Sequence, residues 1–302
     1  MACPQCLGNS TLYNGNIAPF TVGPMSLRGF LFYQGEANAD VNQTYGYYDC
    51  ALKSLISSWR LKFGVPTAFF GVVMLAAFTH DSTFDPAFIA PLRDTQLASL
   101  SLPNVSLVAA TDLGDPGTAA GPGGKSKLGS VHPRHKRPVG ERLAAAVLDI
   151  CFGHSAAAKD YLSPRYLSAH HVLSQHFTTT EVKLSVEIEF QLLPPDTMPL
   201  RVLAPGEATA ADPHGLSSKC PIGVGVPASA CAGFELKTND NVWHSASATV
   251  VGGNKLVLTT VVNKTGAAIP RASRFGFGPW PVNTIVTAGD IPIYPWSEQP
   301  VQ

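Results

Sequence analysis

The stretch "FLFYQGEAN", residues 30–38, joins an apolar, β-prone run directly to the polar group Gln34-Gly35-Glu36. Together with the residues before it, the run "LRGFLFYQ" predicts a buried β-strand. A strand that stops on an amide, a glycine and a carboxylate presents polar groups at its carboxyl end. The stretch therefore predicts an element of a buried sheet and one wall of a site.

Strand-like and helix-like segments alternate on either side of this stretch. Helical spacing of apolar residues predicts helices over residues 47–63 and 135–153, the second ending on Gly153, and Asp85-Pro86 suits the start of another helix. Buried runs at residues 66–75 and 105–113 predict two more strands. The alternation predicts an α/β domain over residues 1–160, with a mainly parallel sheet flanked by helices.

The pattern changes after this domain. Short β-like runs such as "GFELKT" and "ASATVVGGNKLVLTTVV" are separated by Gly, Pro, Asn and Asp. These runs predict a β-rich second domain over residues 161–302, of the β-sandwich type.

Composition argues against several kinds of partner. The 302 residues include 21 Lys and Arg and 21 Asp and Glu, so no basic field is available to attract nucleic acid. No apolar run approaches the roughly 18 residues that span a bilayer, and the first residues lack the pattern of a signal peptide. Cys3 and Cys6 have metal-ligand spacing but no second pair close by, so no metal site is predicted.

Two features would have meaning in an oxidising, secretory compartment. Cys220 and Cys231 could close a short loop. Four glycosylation sequons are present, which would make the protein a glycoprotein if it is secreted, and they begin at Asn9, Asn42, Asn104 and Asn263.

Candidate functional residues follow the strands, because ligands bind beyond the carboxyl ends of a parallel sheet. Gln34 can donate amide hydrogens to a developing oxyanion, and Gly35 lets backbone approach a ligand. Glu36 could orient a histidine or bind a hydroxyl. The alternative is a helix start at which Glu36 and Asn38 only cap backbone donors.

A second candidate group lies in "DLGD…GSVHPRHK", between residues 112 and 136. Pro133 restricts the backbone of His132 to extended geometry just before a predicted helix. A histidine held in this way suits a general base that keeps one ring nitrogen aimed at a nucleophile. His135, without a following proline, is the weaker candidate.

Three segments together resemble the sialate O-acetylesterase family of SGNH-type hydrolases. They are "STLYNGNIAPF…LRGFLFYQGEAN", "DLGD…GSVHPRHKRPVGERLA" and "SRFGFGPWPVNTIVTAGDIPIYPW", in the same order along the chain. The resemblance implies an α/β/α domain joined to β-sandwich elements. It also implies hydrolysis of acetyl esters on sugars such as O-acetylated sialic acid, without metal or cofactor, and a secreted or lysosomal address.

The resemblance also assigns residues. His132 matches the catalytic histidine of the family, and Gln34 with Glu36 matches its QGE element, next to which Gly35 and Asn38 would contact substrate. The position three residues before His132, where an acid is expected, holds Gly129. Glu36, Asp112 or Asp115 would then be the acid partner of His132, and Glu36 is favoured. If Asp115 is not that partner, we expect it to contact substrate.

The nucleophile is the main departure from the family pattern. Family members carry a serine in an early G-Q-S-N or G-D-S block, whereas this chain begins close to the later "LYNGNIAP" segment. Only "LGNS", ending at Ser10, offers a substitute, and it lacks the strand-to-helix elbow that a nucleophile needs. A truncated or inactive product is therefore expected.

Two functions remain open at this point. One is a Ser/His acetyl ester hydrolase acting on an O-acetylated sugar. The other is an inactive carbohydrate-binding remnant, in which Phe277 and Trp280 could stack on a sugar ring, although aromatic residues at this density more often belong to a sandwich core.

Overall fold

The computed structural model describes residues 11–21, 26–40, 44–79, 88–176, 178, 180–191, 199–263 and 268–302. Its α-helices are α1 (Thr11–Asn16), α2 (Ala18–Thr21), α3 (Glu36–Asp40), α4 (Tyr48–Lys62), α5 (Ile89–Leu97) and α6 (Arg137–Phe152). Its strands are β1 (Gly29–Phe32), β2 (Phe69–Val73), β3 (Val105–Val108), β4 (Tyr166–His176), β5 (Glu181–Phe190), β6 (Leu200–Val202), β7 (Cys231–Ala232), β8 (Phe234–Thr238), β9 (Trp243–Val250), β10 (Lys255–Asn263), β11 (Pro270–Phe275), β12 (Trp280–Pro281), β13 (Ile285–Thr287) and β14 (Trp296–Pro300). The predicted helix start at Asp85-Pro86 lies outside the described residues.

The first half of the chain forms a small parallel sheet in the order β1-β2-β3. Every residue of β2 and β3 is buried, which is why both strands read as continuous apolar runs. β1 is the less covered strand, with the side chain of Leu31 59% exposed. The prediction of a parallel sheet between helices is thus confirmed for three strands.

The predicted helices over residues 47–63 and 135–153 are α4 and α6, on opposite faces of this sheet. Leu52 and Ile56 of α4 share one apolar cluster with Phe30 and Phe70 of the strands. The second cluster, on the other face, includes Leu143 of α6. Helix α6 ends as predicted, because Gly153 takes the left-handed conformation (φ 70°) that few other residues adopt cheaply.

The second half of the chain is built on a seven-stranded antiparallel sheet in the order β14-β11-β8-β9-β10-β5-β4. Its two edges approach each other: Gln302 donates its N–H to Ala169 O at 3.0 Å and accepts one from His171 N at 3.0 Å. The C-terminal β unit is confirmed, but the sandwich expectation is wrong in form. A single sheet curls into a near-barrel. Alternation of apolar and polar residues along each strand is the same in a curled sheet as in two stacked sheets, so the sequence pattern does not distinguish them.

Arg93 connects the two halves of the molecule next to the candidate site. Its guanidinium is fully buried and donates to Leu75 O and Ala76 O after β2, and to Gly278 O of the C-terminal half, at 2.7–2.9 Å. Burial lowers the pKa of Arg93 to about 9, so it stays charged at neutral pH. The "FGFGPWP" segment is thereby fixed against the carboxyl end of the parallel sheet.

Helices long and apolar enough to cross a membrane are absent from the described part of the chain.

Candidate active site

The loops that follow β1, β2 and β3 meet at the carboxyl edge of the parallel sheet. The buried Ser130 hydroxyl joins the second and third loops: Ser130 Oγ donates to the Thr79 backbone O at 2.9 Å and accepts from the Thr79 backbone N–H at 3.1 Å. His132 comes two residues later and Gln34 lies on the β1 loop, so the loops that carry both candidates end at the same edge of the sheet.

Gln34 is held by a small hydrogen-bond network. Its Nε2 donates to Asn38 Oδ1 at 2.9 Å, and the Tyr48 hydroxyl lies 2.7 Å from its backbone oxygen and 3.2 Å from its Oε1. An amide nitrogen has two hydrogens, so one remains for a ligand. The Asn38 side chain therefore orients the Gln34 side chain. This role differs from the capping of backbone donors that was the alternative for Asn38.

Gly35 is buried among side chains of this chain. Its φ is +143°, and a Cβ added there would lie 3.0 Å from Leu92 Cδ2 and 3.1 Å from the Tyr48 hydroxyl. These contacts already account for a glycine at this position. The approach of a ligand to the Gly35 backbone stays a prediction from the sequence.

Glu36 begins α3 in a half-buried position. Burial raises the pKa of Glu36, and the nearby Lys136 and His132 pull the pKa back down. Lys136 Nζ lies 4.3 Å from the centre of the Tyr33 ring, at the geometry of a cation–π contact. Glu36, Lys136 and His132 therefore form one electrostatic cluster.

His132 finds its hydrogen-bond partner in the backbone. Its Nδ1 lies 3.2 Å from Leu128 O. Since a carbonyl oxygen only accepts, Nδ1 is the protonated nitrogen in this arrangement and Nε2 keeps a free lone pair. Among the described residues, Glu36 influences His132 through charge and not through a direct hydrogen bond.

Asp115 and Arg134 clamp the loop that presents His132. Arg134 donates through Nε to Asp115 Oδ2 at 2.6 Å, and through NH1 and NH2 to Gly123 O and Pro122 O at 2.8 and 2.9 Å. Partial burial would raise the pKa of Asp115, but the hydrogen bonds from Arg134 and from the Gly117 N–H outweigh it and lower the pKa. Asp115 was predicted to contact substrate. In the structure its carboxylate is bound by Arg134 and the Gly117 N–H of its own loop.

Asp112 lies beneath this edge in a buried ion pair. Arg142 of α6 binds both carboxylate oxygens, at 2.7 and 2.6 Å, and also donates to Ala109 O at 2.7 Å. The two side chains are 4% and 5% exposed. The structure therefore separates Asp112 from the cluster around His132.

The aromatic residues proposed for sugar stacking are placed differently from each other. Trp280 is 1% exposed, and its Nε1 donates to Leu216 O at 3.3 Å. The prediction that it stacks on a sugar is wrong, because the ring face is covered by core. Phe277 is half-buried under the Arg274 guanidinium, 5.5 Å from the ring centre.

Sequence reasoning missed several parts of the site. The Leu128 carbonyl has no sequence signature, since any residue supplies a backbone oxygen. Tyr33 lies inside "FLFYQGEAN", and Arg134 and Lys136 lie inside "HPRHK", so their place within the quoted stretches was the available signal. Within the described ranges, no three His, Cys, Asp or Glu side chains converge as a metal site would require.

Part of the chain is similar to a known family of esterases. The family model described as carbohydrate esterase, sialic acid-specific acetylesterase, matches residues 7–146. The sialate O-acetylesterase of Mus musculus is 32% identical over 158 residues, covering 48% of this chain and 27% of that protein. The Homo sapiens sialate O-acetylesterase is 31% identical over 158 residues, covering 48% and 28%. The chain thus spans about a quarter of the length of these curated relatives.

A solved structure extends the likeness into the β unit. A carbohydrate acetylesterase from Xanthomonas citri superposes with a TM-score of 0.64 and 25% sequence identity, over 94% of this chain and 53% of that one. Residues 7–146, somewhat less than half of the chain, match the model of the sialic acid-specific carbohydrate acetylesterases, and this segment contains the QGE element and His132.

Proposed function

We propose that this site hydrolyses acetyl esters on sugars, with His132 as general base. The observation that carries the proposal is the hydrogen bond from His132 Nδ1 to Leu128 O at the carboxyl edge of the parallel sheet. It orients the ring and leaves Nε2 free to take a proton. The similarity of residues 7–146 to an acetylesterase family supports the same chemistry.

The reaction follows from these groups. Nε2 removes the proton of an attacking hydroxyl as its oxygen bonds to the acetyl carbonyl carbon, and the imidazolium returns that proton to the departing sugar oxygen. Water then cleaves the acetyl group from the nucleophile by the same two proton transfers. The free amide hydrogen of Gln34 stabilises the oxyanion in both steps.

The cluster around Glu36 supports this cycle through charge. The positive charge that forms on His132 is favoured by a nearby carboxylate. Lys136, over Tyr33, lowers the pKa of Glu36 against the larger effect of burial, which raises it. In this proposal Glu36 stabilises the imidazolium, Asn38 positions Gln34, and Asp112 and Asp115 act through Arg142 and Arg134 on the shape of the His132 loop.

The nucleophile is the open element of the proposal. Among the described residues, no serine hydroxyl is hydrogen-bonded to His132, and Ser10 lies outside them. This observation favours, as second candidate, a protein that binds acetylated sugar without turning it over. Phe277 then stays available as an apolar contact, whereas Trp280 does not.

The test measures acetate release from 4-nitrophenyl acetate and from O-acetylated N-acetylneuraminic acid. The parent chain is compared with His132→Ala, Ser10→Ala and the control His154→Ala, an exposed histidine after α6. We expect activity in the parent and the control and a loss of at least about 100-fold in His132→Ala. Equal activity in His132→Ala and His154→Ala would refute His132 as base.

The Ser10 variant and a binding assay separate the two candidates. Loss of activity in Ser10→Ala as well would identify Ser10 as the nucleophile. An inactive but folded parent that still binds O-acetylated N-acetylneuraminic acid would establish the binding function. An inactive parent that binds no sugar would contradict both candidates.

The disulfide supports a proposal for the compartment in which the protein resides. The disulfide Cys220–Cys231, with a Cα–Cα distance of 5.7 Å, points to an oxidising compartment, so we propose secretion or a lysosomal address. Asn263 ends β10 in an exposed position and is the proposed glycan site, whereas Asn104 Nδ2 donates to Thr67 O at 2.9 Å. The proposed units are an SGNH-like domain over residues 1–160 and a β domain over 161–302.

A further inference from the structure

The loop between β3 and α6 is tied to a loop of the C-terminal half that a disulfide closes. The Cys220–Cys231 disulfide joins the ends of residues 220–231, which we call the disulfide loop. The Thr118 hydroxyl donates to Val224 O of the disulfide loop at 2.5 Å. Among the described residues, no other hydrogen bond joins residues 116–129 to the C-terminal half. Thr118 is therefore the point at which the two loops are held together.

The two loops are closely packed at this hydrogen bond. A Cβ added to Gly225, the residue after Val224, would lie 2.8 Å from Thr118 Cγ2. Gly225 has a φ of +91°, a backbone conformation that few other residues adopt cheaply. The glycine lets the disulfide loop reach Thr118, and a displacement of either loop by more than about one ångström would break the hydrogen bond.

Three hydrogen bonds link the neighbourhood of Thr118 to the imidazole of His132. Gly117, the residue before Thr118, accepts a hydrogen bond from the Ser126 N–H at 2.8 Å. The buried Ser126 hydroxyl accepts the Leu128 N–H at 3.2 Å, and Leu128 O accepts a hydrogen bond from His132 Nδ1 at 3.2 Å. Because this last bond fixes the tautomer and the direction of the ring, both depend on where residues 117–128 are held.

The other anchors of this loop do not bind the Leu128 backbone. Ser130 is bound to the backbone of Thr79, and Arg134 clamps the loop through its guanidinium. The Leu128 side chain is 67% exposed, so packing does not hold this residue either. The carbonyl that orients the imidazole is therefore held through Ser126, along the path that begins at Thr118.

The disulfide loop keeps its shape mainly through its closed ends. Its regular structure is two single 3₁₀ turns, Ile222–Val224 and Ala228–Ala230. Turns this short are not stable alone. Val226 belongs to a small apolar cluster with Trp280, whereas no residue of the first turn is buried. The position of Val224 O is therefore restrained by the disulfide that closes the loop.

We propose that the Cys220–Cys231 disulfide positions His132, with Thr118 as the link, so that the imidazole is oriented only in the oxidised protein. A dithiol reverses this in two steps: its thiolate attacks one protein sulfur and displaces the other, and its second thiol then releases the first. The protein disulfide takes up two electrons and two protons to become two thiols, and the dithiol becomes a cyclic disulfide. Both cysteines are only half-buried, which leaves access for the reductant. The inference deepens the proposed function and rests on it only for the effect on hydrolysis.

The test uses two nuclear magnetic resonance signals that need no turnover. They are hydrogen exchange of the Ser126 amide and the ring-nitrogen chemical shifts of His132, which report its tautomer. After reduction with dithiothreitol, and in Cys220→Ser with Cys231→Ser, we expect Ser126 to exchange at least about tenfold faster. In both cases the ring should lose its preference for a protonated Nδ1. Thr118→Val should give about two- to tenfold faster exchange with the disulfide intact, because one hydroxyl hydrogen bond is lost.

Two controls separate this effect from a general loss of structure. Thr260→Val removes a comparable hydroxyl bond, to Ser245 O at 2.8 Å in the β unit, and should leave both signals as in the parent. The Met74 amide, bonded to Val108 O in the parallel sheet, reports global unfolding. Equal acceleration at Ser126 and Met74 would overturn the proposal. Unchanged exchange and tautomer in the reduced protein would overturn it as well.

The remaining outcomes test the link and separate this proposal from hydrolysis. A change in the double cysteine variant that Thr118→Val does not reproduce would refute Thr118 as the link. Dithiothreitol should have no further effect on the double variant, and a further effect would contradict the role of this disulfide. An inactive parent with the expected exchange and tautomer changes would refute the proposed hydrolysis and support the positioning of His132. An active parent with unchanged signals would do the reverse.

Discussion

Replacing Asp112 by asparagine should destabilise the protein by about 3–5 kcal/mol, the cost of leaving one buried charge without its partner. Asp112 and Arg142 are 5% and 4% exposed, and two hydrogen bonds of 2.6 and 2.7 Å join them. Asparagine keeps the shape of the side chain but removes the charge. Arg142 would then remain cationic in the interior, with Ala109 O as its remaining strong acceptor.

The matched control is a surface ion pair on the same helix. Arg137 and Glu141 are 85% and 58% exposed and are spaced i, i+4 along α6. Such pairs contribute about 0.3–0.5 kcal/mol, so Glu141→Gln should change stability by no more than that. Replacing both partners of the buried pair, in Asp112→Leu with Arg142→Met, should cost far less than either single change, since no charge is left unpaired.

Urea unfolding followed by tryptophan fluorescence measures these differences in stability, and acetate release measures activity. A loss of about 3–5 kcal/mol corresponds to a decrease of roughly two to three and a half powers of ten in the folding equilibrium constant. If Asp112→Asn unfolds within about 0.5 kcal/mol of the parent, the reasoning about the buried pair is refuted. If it is also inactive, Asp112 is the acid partner of His132 after all.

Three further predictions rest on single features of the fold. Gly35→Ala should lower stability by about 1–3 kcal/mol in the same urea assay, because the φ of +143° and the close neighbours of Gly35 oppose a Cβ. An unchanged urea midpoint would contradict this expected backbone strain. The pKa of Asp115 is lowered in the folded state, so the Asp115–Arg134 pair contributes stability that is present above the unfolded pKa and is lost as pH falls through the folded pKa. Asp115→Asn should therefore flatten the acid side of a plot of stability against pH, and parallel curves for the two proteins would exclude this linkage. The Cys220–Cys231 disulfide closes a loop of sequence separation 11. Changing both cysteines to serine should lower stability by about 3 kcal/mol, because the open chain regains loop entropy when unfolded. A variant as stable as the parent in urea would show that the loop is already ordered without the disulfide.

The elements of the α/β part could be predicted because their sequence signals are local. Helix α4 repeats apolar residues at helical spacing, β2 is an uninterrupted apolar run, and Gly153 marks a helix end. In each case the residue pattern and the burial have the same period. The β unit illustrates the limit of this reasoning. Alternation along a strand reports that one face is buried, but whether a sheet curls or stacks depends on which strands pair across long separations.

The candidate site shows the same contrast between local sequence signals and contacts over long sequence separations. The residue types that follow the strands can be read from the sequence: Gln34, Glu36 and His132, with a proline that restrains the histidine. Their partners depend on how distant segments pack in the fold. Arg142 takes Asp112 and Arg134 takes Asp115, so neither carboxylate remains for His132, which bonds the Leu128 carbonyl instead. The physical reason is that pairing of charges and hydrogen-bonding groups depends on distances of a few ångströms between distant segments, and one-dimensional spacing does not contain those distances.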